Sequence, residues 1–507
     1  MIRAIDRYGE LVVYIGGLLF VMINAFFLYR EFYYFMLLPA GLAIFYLAFF
    51  ALDKLFLAVV FFTPLSIGLA RFAGNLPFDV SLPTEPVIIV ILGIAVFRMV
   101  YTGSVHKELI LHPVSLSIMF YLAWIFITSV TSTMPLVSFK FLLVRLWFIL
   151  VFYFFAVRIF ARRRNIEYFL WSYIIALAIV VVYTLYNHAG YGLIAQKAAH
   201  WVVRPFYNDH TEYGAALALF LPVLAFFSFR RKKRSRNVGA GSGKPVSLLQ
   251  KIAPLLQTRW IARFLFILFI GALVFSYSRA AWLSLLAASG VYLLVRLKIG
   301  FTAILSFTLA GALLVFMLRG EIVREMAKNT QDSSADFREH IRSMTNITSD
   351  ASNLERINRW KAAIGMFKEK PVFGWGPGTY MFQYAPFQFS YDRTIISTNL
   401  ADGGDAHSEY LGPLSETGLP GMLSFLMVAI LSLVTGFRLS GQLARRKDRL
   451  LVLGLLLGLI TYLVHGTLNN FLHSDKAAVP FWGFIAIMVA MDLYGKKTLN
   501  EAQKTRT

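Results

Sequence analysis

Apolar residues run through this chain in long, nearly uninterrupted stretches separated by short polar ones. A helix that crosses a bilayer needs roughly 20 predominantly apolar residues. Runs of that kind fall near 11–28, 32–50, 55–70, 86–100, 114–130, 139–160, 166–186, 213–229, 261–275, 280–295, 299–318, 419–437, 450–467 and 478–494. The pattern predicts an all-α polytopic membrane protein of about 12–14 transmembrane helices, the lower figure applying if the tight pairs at 11–50 and 261–295 merge. One polar stretch, 319–418, is far too long for a turn. It divides the chain into an N-terminal transmembrane bundle with short outer loops (1–318), one large loop (319–418), and C-terminal helices with a cytoplasmic tail (419–507).

Charge orients these spans. The chain has 49 Lys and Arg against 27 Asp and Glu, a formal net charge of +22. With the N-terminus inside, Arg162-Arg163-Arg164, the run Arg230–Arg236, the segment Arg438–Arg449 and Lys496-Lys497 all face the cytoplasm. The whole excess then lies on that side and the outer side sums to neutral, as the positive-inside rule requires. Basic loops beside anionic lipids need no other partner, so topology accounts for the charge and a nucleic-acid partner is excluded. Arg3 and Arg7 precede an apolar run too long for a cleaved signal, which reads as a retained signal anchor. The segment 230–259, basic and then Gly/Ser-rich, reads as a flexible cytoplasmic linker. The absence of cysteine removes disulfides, thiolate metal sites and thiol nucleophiles.

The remaining chemistry sits at the outer ends of the spans. Lys140 and Arg145 lie in the sixth span; Lys140 can snorkel to the interface, whereas Arg145 lies deep enough to face a cavity that holds an anion. The outer loop 187–212 carries His188, His200 and His210, whose spacing matches no zinc pattern. It also carries Arg204, a guanidinium suited to bidentate phosphate contact. Arg279 stands at the outer boundary of a span, against the positive-inside bias. Within the large loop, 336–344 forms a short amphipathic pattern and Asn346-Ile347-Thr348 a glycosylation sequon. Leu354, Ile357, Trp360, Ile364 and Phe367 recur at helical spacing. Ser352 or Asn353 is positioned to cap that helix, and Arg356 and Arg359 share its polar side. Gly374-Trp375-Gly376-Pro377-Gly378 reads as a rigid turn, since no strand precedes it as a nucleotide loop would require. Last comes Asp402–Gly421, where His407 follows the Gly403-Gly404 pair and Glu416-Thr417-Gly418 gives a helix-ending signal. A histidine can take and return a proton near neutral pH.

Three runs together resemble the superfamily of O-antigen ligases and related polysaccharide polymerases. They are Phe275-Ser276-Tyr277-Ser278-Arg279-Ala280, the run from Glu355-Arg356 to Gly374-Trp375-Gly376, and Ala406-His407-Ser408-Glu409-Tyr410-Leu411 leading to Gly418-Leu419-Pro420-Gly421. Arg204 ahead of Phe206-Tyr207-Asn208 resembles that family's outer-loop arginine, and the likeness covers roughly 200–437. The Ser-Glu after His407, where many members have Asn, and the long loop depart from the family pattern and leave the acceptor open. The resemblance implies a multi-pass protein of the bacterial inner membrane with its active site on the periplasmic face. It implies an enzyme that moves a glycan from an undecaprenyl-diphosphate carrier either to lipid A core (ligase) or to another carrier-linked repeat (polymerase), without metal or other cofactor. In that reading His407 is the general base, Arg204, Arg279 and Arg356 hold the diphosphate, with Arg145 as a further candidate, and the anomeric carbon inverts. A metal-dependent oligosaccharyltransferase would instead use acids such as Asp402 and Asp405, though a Gly-rich turn favours Asp for local hydrogen bonding in any case. A flippase or transporter would place its charges near the midplane, whereas here, Arg145 apart, they gather at the outer surface.

Overall fold

The computed structural model describes residues 2–73, 80–103, 106–229, 259–300, part of 302–317, 351–388 and 404–504. The expected helix over 336–344, the sequon at Asn346, Asp402 and all but the end of the 230–259 segment lie outside them. The chain falls into two units, Met1–Ala58 and Val59–Thr507.

In the first unit, α1 (Ile2–Tyr29) leads through a tight turn at Tyr33–Leu37 into α2 (Leu38–Phe50). Phe27 stacks its edge against Phe32 and Phe35 and fixes that turn. Leu18, Met22, Phe45, Tyr46 and Phe50 are exposed, the surface a lipid-facing hairpin presents. α3 (Leu52–Phe62) straddles the two units. The expected span over 55–70 is not one helix. α3 ends at Phe62, Thr63–Leu65 makes a single tight turn around Pro64, and Ile67–Gly68 (β1) pairs antiparallel with Ser81–Leu82 (β2). Proline has no N–H to donate back into the helix, which stops it there.

The second unit continues with α4 (Thr84–Thr102), α5 (Pro113–Val130), α6 (Pro135–Phe160), α7 (Arg163–Tyr191), α8 (His210–Phe229), α9 (Arg259–Phe275) and α10 (Arg279–Arg296). It closes with α11 (Ala351–Glu369), α12 (Leu411–Gln442), α13 (Arg446–His465) and α14 (Asp475–Lys504). Among the described residues, 9 helices are long and apolar enough to cross a membrane. The protein is an all-helical, multi-pass membrane protein, with two-residue strands as its exception. The expected span at 299–318 falls largely outside the described residues.

α8 is the buried centre of this unit and packs against α9, α10 and α13. A Cβ on Gly458 of α13 would stand 2.5 Å from the Leu219 carbonyl of α8, so only glycine lets these two backbones approach so closely. α12 lies against α5 and α13, and α11 rests on α12. Polar pairs fix the ends of α14. Asp475 accepts hydrogen bonds from Ser66 and Thr84 at 2.7 and 2.6 Å, and Lys476 donates to Ser66 at 2.7 Å. At the opposite end Asp492 holds His112 at 3.2 Å and also pairs with Arg438. Ionised groups at such depth are tolerated because each finds a partner.

α11 begins upstream of its expected start, so Ser352 and Asn353 lie inside it and do not cap it. It stops at Glu369, ahead of Pro371, as expected. α12 contains a break at Gly418, whose φ of 69° separates an outer turn of helix, 411–417, from the long span. A Cβ on Gly418 would stand 2.1 Å from the Val372 carbonyl. The Gly374–Gly378 run is the rigid turn that fills this break. Gly376 N–H donates to the Glu416 carbonyl at 2.7 Å, and Leu419 N–H to the Pro371 carbonyl at 2.9 Å. Tyr380 N–H donates to the Glu416 carboxylate at 3.0 Å.

Candidate active site

His407 sits on the short connection that enters α12, and its backbone is left-handed, with φ +46°. A non-glycine residue in that region is held there by its surroundings. Asp405 does much of the holding. Its Oδ1 accepts from His407 N–H at 2.9 Å, the i to i+2 turn that aspartate favours. The same oxygen lies 3.1 Å from His407 Nδ1. Asn470, with its amide nitrogen turned to the carboxylate, reaches both Asp405 oxygens at 3.0 and 2.9 Å. Glu409 N–H donates to the Gly466 carbonyl at 2.8 Å, so the α13–α14 connection braces the His407 loop from behind.

α11 braces it from the front. Arg359 Nε donates to Glu355 Oε1 at 2.8 Å in a buried pair one turn apart, and its Nη1 donates to the Asp405 carbonyl at 3.2 Å. The guanidinium lies 5.1 Å above the Tyr384 ring. A Cβ on Gly404 would fall 1.3 Å from Arg359 Nη1, so the glycine before Asp405 makes room for this arginine. Arg359, which sequence places on a polar face, is an internal support.

Arg356 precedes Arg359 on α11. Its charge acts on His407, and it feels the carboxylates of Asp209 and Asp405. Arg279, at the start of α10, and Arg356 oppose one another's charge. Two guanidiniums close enough for one charge to act on the other favour an anion between them. Asp209 precedes α8 and caps it, accepting from Thr211 N–H at 3.2 Å and Thr211 Oγ1 at 2.5 Å. Burial raises its carboxyl, but the hydrogen bonds and charge of His210, with those of Thr211, win and hold it below the usual carboxylate range. His465, at the end of α13, lies within reach of Arg356 and Asp209 and meets Asn469 at 3.1 Å.

The His407 side chain is 36% exposed. Its pKa lies below the ordinary value of 6.5, first through burial and then through Arg356 and Arg359, with Asp405 pulling the other way. The ring is therefore neutral at pH 7. A proton on Nδ1 satisfies Asp405 and leaves Nε2 with a free lone pair.

The other two expected arginines stand apart from this cluster. Arg204 is exposed on the loop before α8, and its carbonyl accepts from the Tyr183 hydroxyl at 3.0 Å. Arg145 is buried in α6, where Nη1 donates to the Leu472 carbonyl at 2.7 Å and the guanidinium lies 5.1 Å over Phe141. It shares that interior with Glu409 and Glu416. Glu409 in turn accepts from Tyr462 at 2.6 Å and from Leu472 N–H at 2.8 Å. Arg145 thus supports the α13–α14 connection. The sequence offered one clue to Asp405, its place two residues before His407. Asp209, His465 and Asn470 are brought in by the fold, with no local signal.

Residues 264–426 match the family model described as Wzy_C, O-Antigen ligase. This segment is similar to an O-antigen ligase domain. No curated protein matches the chain. The matched segment runs from α9 into α12 and includes Arg279, Arg356, Asp405 and His407, whereas Arg145 and Arg204 precede it. The family is one of glycan ligases and polymerases that act on lipid-linked glycans.

Proposed function

We propose that the protein transfers a glycan from undecaprenyl diphosphate to an acceptor hydroxyl at the periplasmic face of the inner membrane, with inversion at the anomeric carbon. The acceptor we favour is lipid A core, which makes the protein an O-antigen ligase; extension of a carrier-linked repeat, the polymerase reaction, is the second reading. The observation that carries this is the grouping, inside the segment matched by one family model, of a neutral histidine oriented by a carboxylate with Arg356, whose charge acts on that histidine and on Arg279.

The chemistry follows from those groups. The leaving diphosphate is already a stable anion and needs no general acid; it needs positive charge fixed where negative charge develops. Arg279 and Arg356 supply that charge and grip phosphate oxygens bidentately, with the exposed Arg204 as a further candidate. His407 Nε2 accepts the proton of the acceptor hydroxyl as its oxygen bonds to the anomeric carbon and the carbon–phosphate oxygen bond breaks. Asp405 stabilises the imidazolium that forms, and the proton then leaves to water. No step calls for a metal, so transfer proceeds without one.

The test is purified protein with a defined undecaprenyl-diphosphate glycan, assayed with and without chelator and with each acceptor in turn. Product on lipid A core supports the ligase, and lengthened carrier-linked chains the polymerase. Translocation of the donor without transfer to either acceptor would overturn the reading in favour of a flippase. His407→Ala should lower transfer by a factor on the order of 10²–10⁴ while donor binding changes little.

A further inference from the structure

Beside the reactive cluster, and not used by the transfer chemistry, stands a second group of side chains. His200, Asp209 and His210 each offer one ligand atom, and these atoms all lie within 4.8 Å of one another. Among the described residues they form the one such group of His and acidic side chains. The His200 and His210 rings meet at 4.1 Å between centroids, and His210 Nδ1 lies 2.6 Å from Asp209 Oδ1. Capping explains Asp209 and its contact with Thr211. It does not explain why an imidazole from the short helix Ala199–Val202 is brought over the first residue of α8.

The geometry points to a binding site for a divalent first-row transition metal at His200, Asp209 and His210. Zinc bonds to imidazole nitrogen and carboxylate oxygen at about 2.0–2.2 Å, which sets neighbouring ligand atoms about 3–3.5 Å apart. The observed atoms, all within 4.8 Å of one another, would close on a shared ion to reach that spacing. Two nitrogens and one oxygen favour zinc, copper or nickel over magnesium or calcium, which prefer all-oxygen shells. His210 and Asp209 are anchored at the start of a buried helix, whereas His200 is exposed and leaves the fourth position open to water. A bound ion would tie the loop that carries Arg204 to α8, the central helix of the unit. The metal-free transfer proposed above does not depend on it, so the two readings fail independently.

The experiment uses the full-length protein in detergent, stripped with chelator and titrated with zinc and, separately, magnesium by calorimetry. One equivalent of zinc should bind, magnesium should not compete, and X-ray absorption should report a nitrogen and oxygen shell. His200→Ala, an exposed change that leaves the fold intact, should weaken zinc binding at least tenfold. His188→Ala serves as the control, because His188 is buried and meets the Ala195 carbonyl at 3.0 Å. Zinc binding that is absent, or equal in His200→Ala and wild type, would overturn the site. Equal weakening by His188→Ala would assign the metal to the loop at large and also overturn it.

Discussion

At the scale of single residues, the charges around His407 act in opposite directions and can be separated. Asp405 favours its protonated form, and Arg356 disfavours it. In wild type, transfer should rise with pH as His407 loses its proton, with a midpoint below 6.5. Removing the carboxylate in Asp405→Asn should move that midpoint to lower pH and also lower the plateau, since the ring loses the group that orients it. Arg356→Ala should move the midpoint upward while weakening donor binding. A pH profile of kcat/KM for the three proteins checks both signs, and a shared direction of shift would remove the charges from the base's titration. Arg279→Lys keeps the charge but loses the planar fork; it should raise KM for the diphosphate donor more than it lowers the rate at saturation. Arg279 was singled out in the sequence because a cation stands out at the edge of an apolar span, and Arg356 and His407 because their runs resemble family motifs. Asp405 was legible only as a turn former, and Asn470 not at all, because the contact between them joins positions 65 residues apart in numbering, about ten times the reach of any local pattern.

At the scale of elements, the site depends on one interrupted helix, α12, and the turn wedged into its break. The hydrophobic pattern located most of the long helices, since burial and helical period agree there. It misread the stretch 55–70, where an apolar run hides a proline stop and a short strand that pairs with Ser81–Leu82. It also placed Arg359 on the polar side of its helix, because the loop that covers it, through the Asp405 carbonyl, is brought there only by tertiary packing. The break in α12 was announced by Glu416-Thr417-Gly418, and its purpose came only with the fold: it admits the 371–380 turn. Gly418→Ala should therefore be costly, with a left-handed backbone and a Cβ driven into the Val372 carbonyl. Gly441→Ala, farther along α12, meets nothing within 4 Å and should be neutral or slightly stabilising. Thermal unfolding in detergent should rank Gly418→Ala well below wild type and Gly441→Ala at or above it. Equal stability of the two variants would mean that the turn does not lock the break. Gly404→Ala tests the same principle at the site, since displacing Arg359 should cut transfer while most of the fold survives.

At the scale of the whole molecule, everything proposed about the reaction assumes that the α13–α14 connection and the His407 loop share one side of the membrane, opposite the basic loops. The charge pattern carries that assumption: Arg445, Arg446, Lys447 and Arg449 cluster between α12 and α13, whereas 466–474 contains no Lys or Arg. The structure sets a matching demand, because Asn470 meets Asp405 and Gly466 meets Glu409. The natural chain has no cysteine, so single substitutions report position without background. Gln442 and Thr467 are both exposed, at opposite ends of α13. A membrane-impermeant maleimide added to spheroplasts should label Thr467→Cys at once and Gln442→Cys only after the membrane is opened. The order matters for mechanism as well as topology. An undecaprenyl-diphosphate glycan that meets lipid A core does so outside, and a His407 loop on the cytoplasmic side could never reach that acceptor. The reverse labelling order would therefore remove the ligase and the polymerase together, however well the arginines and the histidine are arranged. With the expected order, the acceptor assay is left to decide between them, since both reactions use the same donor, the same face and the same base.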